Sequence, residues 1–103
     1  MGITLKDLLS LEENGGFTLK HGKRIAYRHG YQVATEGIET RDPLIALKTI
    51  IEWDGNAGVW YSQNIFYVDR SHHVSDLKSA VEIGKSHNQQ SILKWETMEL
   101  IWL

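Results

Sequence analysis

The sequence predicts an α+β domain, a largely antiparallel sheet with about three helices in the order α-βββ-α-ββ-α-ββ. Three observations predict it. Three segments carry apolar residues at helical spacing behind a capping residue, the stretches between them read as short β-favouring runs, and the connections between those runs are short. With 103 residues and neither linker nor low-complexity segment, the chain reads as one domain over 1–103, large enough to bury a core.

The opening TLKDLLSLEENGG sets Leu5, Leu8, Leu9 and Leu11 near helical spacing, with Thr4 as N-cap and Gly15-Gly16 as the stop. In the following stretch, His21-Gly22 and His29-Gly30 separate three strand-like runs, and glycine supplies the positive φ of a tight turn. A three-stranded meander is expected at Phe17–Lys20, Arg24–Arg28 and Tyr31–Thr35. RDPLIALKTIIEW starts the second helix: Asp42 caps, and Pro43 takes the first helical position, where its missing N–H costs nothing. Leu44, Leu47 and Ile51 share one face, with Ala46 and Ile50 widening it, and Asp54–Asn56 end the helix. Two strands follow, Gly58–Ser62 and Ile65–Val68, joined through Gln63-Asn64. Ser75 or Asp76 then caps a third helix with Leu77, Ala80, Val81 and Gly84 on one face. Gly84 in its middle costs about 1 kcal/mol against alanine, which predicts a close helix–sheet approach there. SILKWETMELIWL reads as a hairpin turning at Glu96-Thr97, and the two helix-then-hairpin segments look loosely alike.

Composition narrows the function. Hydrophobic residues are 42% and charged residues 23% of the chain, and the net charge is −2 without long blocks of one sign. Those values disfavour both a strongly basic phosphate-tracking protein and a highly acidic DNA mimic. The absence of cysteine excludes disulfides, thiol catalysis and cysteine-ligated metal sites, and suits a reducing compartment. Lys6, Asp7, Glu12 and Glu13 interrupt the start where a signal peptide is apolar, and no run nears the roughly eighteen apolar residues of a membrane span. A cytoplasmic protein without a membrane partner is expected.

Catalytic and metal motifs are poorly supported. The histidines are His21, His29, His72, His73 and His87. His72 and His73 are adjacent and point to opposite faces of an extended segment, while His21 and His29 sit in separate turns, so no metal site is assigned. No serine lies in a nucleophile elbow, the carboxylates Glu36, Glu39, Asp42, Glu52, Asp54 and Asp69 fall mostly in loops and helix ends, and no glycine-rich phosphate loop is present. No catalytic residue and no cofactor is expected, and the chain reads as a non-enzyme.

Two surfaces remain. KHGKRIAYRHGY gathers Lys20, Lys23, Arg24 and Arg28 with Tyr27 and Tyr31, a local basic and aromatic set able to track phosphates and stack bases. WYSQNIFYVDR is the other. Alternation puts Trp60 on one face and Val59 with Tyr61 on the other, and separates Ile65 and Tyr67 from Phe66 and Val68. If helices cover one sheet face, some of Trp60, Tyr61 and Tyr67 stand on the open side. With Asp69 and Arg70 beside them they would form a protein-binding patch, the alternative being a second small cluster under the N-terminal helix. The last strand, Met98–Leu103, offers an edge for pairing with a second copy.

The aromatic hairpin ending in Tyr67-Val68-Asp69, the helix with Ala80, Ile83 and Gly84-Lys85, then His87-Asn88-Gln89 and the strand pair around Trp95 and Met98-Glu99 give the C-terminal half a likeness. It resembles the endings of small accessory proteins encoded by phages and prophages of Gram-positive bacteria, over about the last 45 residues. The resemblance implies a cofactor-free interaction protein. Some such proteins inhibit host defence as anti-CRISPR proteins do, so the implied partner is a host protein such as a CRISPR effector nuclease. The mild charge implies occlusion of a surface or a blocked conformational change rather than DNA mimicry. No functional residue is carried over.

Overall fold

Thr4 opens helix α1 (Leu5–Leu9) with a capping box: the Asp7 N–H donates to Thr4 Oγ1 and the Thr4 N–H donates to Asp7 Oδ2 at 2.8 Å. The bonds from the Thr4 backbone and hydroxyl hold the Asp7 carboxyl below its usual range. Strands β1 (Gly15–Lys20), β2 (Lys23–Ile25) and β3 (Tyr31–Thr40) follow, then helix α2 (Pro43–Glu52) and strands β4 (Ala57–Ser62) and β5 (Ile65–Val74). Helix α3 (Leu77–Ser86) and strands β6 (Ser91–Lys94) and β7 (Glu99–Trp102) complete the expected order. The computed structural model describes residues 2–103. The strands form an antiparallel seven-stranded sheet in the order β2-β1-β4-β5-β3-β6-β7, so the fold class is α+β. The described residues group into two units, the chain up to Ile25 with Gly37–Arg70, and Ala26–Glu36 with Ser71–Leu103.

In the first unit, period-two alternation sends Leu19 of β1, Ala57 and Val59 of β4, and Phe66 and Val68 of β5 into one buried cluster with Leu8 of α1 and Ala46 and Ile50 of α2. The expected stripe of α2 is corrected. Ala46 and Ile50 are fully buried, whereas Leu44 and Ile51 stand 59% and 62% exposed. The small side chain of Ala46 lets the helix approach its packing surface closely, and Leu47 and Trp53 fill in beside it. Past the helix, the Gly22 N–H donates to the Gly55 carbonyl at 3.0 Å and the His21 N–H to Asn56 Oδ1 at 3.1 Å. This fastens the Asp54–Asn56 loop to the β1–β2 turn. Both glycines have positive φ, and a Cβ on Gly55 would collide with the Gly22 backbone, so only glycine fits there.

The second unit is built on Val33, Ala80 and Ile92, with Tyr31, Val74, Ile101 and Leu103 packed around them. Asp76, and not Ser75, caps α3: the Ser79 N–H donates to Asp76 Oδ2 at 2.9 Å, and the bonds from Ser79 hold the carboxyl below its usual range. Gly84 is buried, and a Cβ there would lie 2.5 Å from Leu103 Cδ1 and 3.3 Å from Ile92 Cγ2, the close approach the sequence predicts. The middle strand of the meander is shorter than expected. It ends at Ile25 instead of Arg28: pairing with β1 stops there, and Tyr27 beyond it stacks on His73, the ring centroids 3.8 Å apart. The strand after the aromatic hairpin is longer, continuing through His72 and His73 to Val74. Among the described residues no helix is long and apolar enough to cross a membrane.

Candidate functional site

The hairpin β4–β5 carries the candidate residues. Its turn, Gln63-Asn64, has positive φ at both residues, the form whose twist matches the flanking strands. That turn sets the register, Trp60 opposite Tyr67 and Gly58 opposite Asp69. Since Val59, Phe66 and Val68 point into the core, alternation sends Gly58, Trp60, Tyr67 and Asp69 to the other face. Trp60 is 50% exposed and Tyr67 half-buried, with ring centroids 5.6 Å apart at an interplanar angle of 35°. They form one tilted aromatic surface.

Small residues surround it. On β1, Gly16 lies opposite Trp60, and a Cβ there would collide with the Val59 carbonyl. On β3, a Cβ on Gly37 would collide with Asp69 Oδ1, so the carboxylate occupies the space over that glycine. Loss of solvent raises the Asp69 carboxyl above its usual range, and the negative charge of Glu39 adds to the effect. The face thus pairs aromatic surface with a carboxyl that is held above its usual range.

Tyr61 and Arg70 do not join this group. Tyr61 packs against the core, 4.7 Å from the Phe66 ring, with its hydroxyl donating to Asn64 Oδ1 at 3.1 Å. Arg70 lies opposite Ala57, whose side chain is buried in that core, so alternation places it on the same side. Of the five residues expected in the patch, Trp60, Tyr67 and Asp69 come together.

No family model, no curated protein and no solved structure matches the chain.

The basic set divides. Lys20 and Lys23 face each other across the β1–β2 turn, both exposed. Arg24 turns away from them, its guanidinium 4.5 Å over the Phe17 ring and 4.0 Å from Asp7 Oδ1. Tyr27 and Arg28 belong to the second unit, where Tyr27 stacks on His73 and meets Trp95 edge-on at 5.6 Å. The histidines are dispersed as well. His73 Nε2 donates to the His29 carbonyl at 2.8 Å, and His72 Nε2 lies 3.1 Å from Thr35 Oγ1. Among the described residues no group of three or more histidines and carboxylates gathers as a metal site.

Sequence reasoning missed Gly16, Gly37 and Gly58 as the setting of the aromatic pair. A glycine inside a strand pattern marks close approach of another group, and that signal was available in GGF, TEGIE and AGVW.

Proposed function

We propose that the chain is a non-enzymatic protein-binding module whose contact surface is the face of Trp60, Tyr67 and Asp69. The observation that carries the reading is the half-exposed Trp60 leaning on Tyr67 outside the core. An exposed aromatic pair gives a partner a large, rigid apolar contact at low entropic cost, and the adjacent carboxylate adds directional specificity. The phage and prophage likeness of the C-terminal half makes a cytoplasmic inhibitor of a host defence nuclease the favoured role. A net charge of −2 favours occlusion of a protein surface over imitation of DNA. The test is a DNA-cleavage titration of a CRISPR effector nuclease with the wild-type chain and with the Trp60→Ala/Tyr67→Ala variant, circular dichroism reporting the fold. Inhibition by the wild type and none by a folded variant is expected. Equal inhibition by both would overturn the assigned face, and no inhibition by either would overturn the role.

A second reading, nucleic-acid binding, has one observation in its favour. Lys20 and Lys23 are directly opposite each other, an arrangement of like charges that a phosphate would relieve. It predicts affinity falling steeply with salt, and absence of binding at low salt removes it.

A further inference from the structure

We infer that β7 pairs with β7 of a second copy of this chain, making a two-fold antiparallel dimer centred on Leu100. The inference stands apart from the Trp60 face and survives if that proposal fails.

Strand β7 is an outer strand of the sheet. Its odd-numbered side is used inside the unit: Ile101 and Leu103 pack on the core, and the Leu103 N–H donates to the Gln90 carbonyl at 2.9 Å. By strand alternation the main-chain groups of Leu100 and Trp102 then point away from β6, towards the open edge. The side chains in the same alternation are large, apolar and exposed, Leu100 by 53% and Trp102 by 69%, with Met98 at the preceding turn exposed by 62%. An uncovered edge of this kind is a template for another strand.

The two outer strands contrast in their protection. Strand β2 is three residues long and carries Lys23 and Arg24, both exposed. Short length and cationic side chains are what keep an edge from pairing. Strand β7 has Glu99 as its single charge, and Glu99 already lies opposite Lys94 of β6.

A second copy is the occupant because β7 complements itself. With Leu100 opposite the Leu100 of the other copy, each donates its N–H to the other's carbonyl. Trp102 then runs past the start of the other copy's β7 towards its β6–β7 turn, where the Met98 side chain is exposed, and the two-fold axis repeats the arrangement. Glu99 falls opposite Ile101, so no like charges meet. Pairing of β7 with β2 of another copy would instead lay it along a three-residue strand carrying the exposed Lys23 and Arg24, and such a head-to-tail contact would not close.

The test is sedimentation equilibrium on the unaltered chain, on Leu100→Lys, and on an equimolar mixture of Leu100→Lys with Leu100→Glu. The wild type is expected to dimerise and Leu100→Lys to be monomeric. The mixture is expected to recover a heterodimer, because position 100 faces itself across the axis and the new charges attract. Hydrogen exchange on the unaltered chain gives an independent reading, with Leu100 and Trp102 amide protection that rises with protein concentration. The inference is overturned if the wild type stays monomeric up to roughly 1 mM, if the dimer survives Leu100→Lys, or if Trp60→Ala abolishes it, which would put the interface on the other surface.

Discussion

The segment α2–β4–β5 and the segment α3–β6–β7 share their punctuation at a constant offset. Asp42 and Asp76 cap the helices, Ala46 and Ala80 are fully buried, Asp54 and Asn88 take positive φ after the helix, and Asn64 and Met98 do so before the last strand. What they expose differs in kind. In the first segment, β4 pairs with β1 and β5, so what remains outside the core is a face, with Trp60 half out of it. In the second, β7 pairs with β6 and is an outer strand of the sheet, so what remains is an edge. The same local scaffold leaves a face or an outer edge free of strand pairing according to the strand beside it.

Equivalent positions break that comparison most sharply. Ile50 and Gly84 occupy the same place in the two helices, one filling its core and the other leaving room for Leu103 and Ile92. Ile50→Ala should cost about 2–5 kcal/mol in chemical denaturation, through lost burial and the cavity left behind. Gly84→Leu should cost about 1–3 kcal/mol by overpacking, although leucine is the better helix former. A stabilising Gly84→Leu would show that α3 does not sit close. Asp42→Ala should cost about 1 kcal/mol through loss of the bond to the Leu44 N–H.

The carboxylates separate the segments by pH. Asp76 is held below its usual range by the bonds from Ser79, so its stabilisation is complete above the ordinary aspartate value and is lost as pH falls through the depressed folded value. Asp76→Ala should therefore lower the melting temperature at neutral pH, with a difference that shrinks in acid. Asp69 has the opposite sign. Its folded value is raised by lost solvent and by Glu39, so the charged form opposes folding above that value and the penalty disappears as pH falls below the ordinary one. Asp69→Asn should stabilise slightly at neutral pH and be neutral in acid. Melting curves of both variants across the acid range check the pair of signs.

The legible part of the fold was the part written in local chemistry. Caps at Thr4, Asp42 and Asp76, glycine turns, and strand alternation depend on neighbours in sequence, and they gave the element order and put Trp60 and Tyr61 on opposite faces. The rotation of α2 was not legible, because Leu44, Ile45, Leu47, Ile50 and Ile51 make nearly every side of that helix apolar, and the shape of its packing partners decides which side is buried. The place of Tyr27 beyond β2 was hidden for a related reason: it stacks on His73, far away in sequence. The site was half legible. The aromatic pair could be read from alternation, but its glycine setting depends on what β1 and β3 bring alongside.

The central claim is that Trp60 stands outside the core, and thermal and chemical unfolding of Trp60→Ala tests it most directly. Loss of an exposed cross-strand aromatic contact with Tyr67 predicts a cost of about 1 kcal/mol and an unchanged circular dichroism spectrum. A cost of about 3–5 kcal/mol, the value for removing a buried tryptophan, would contradict it.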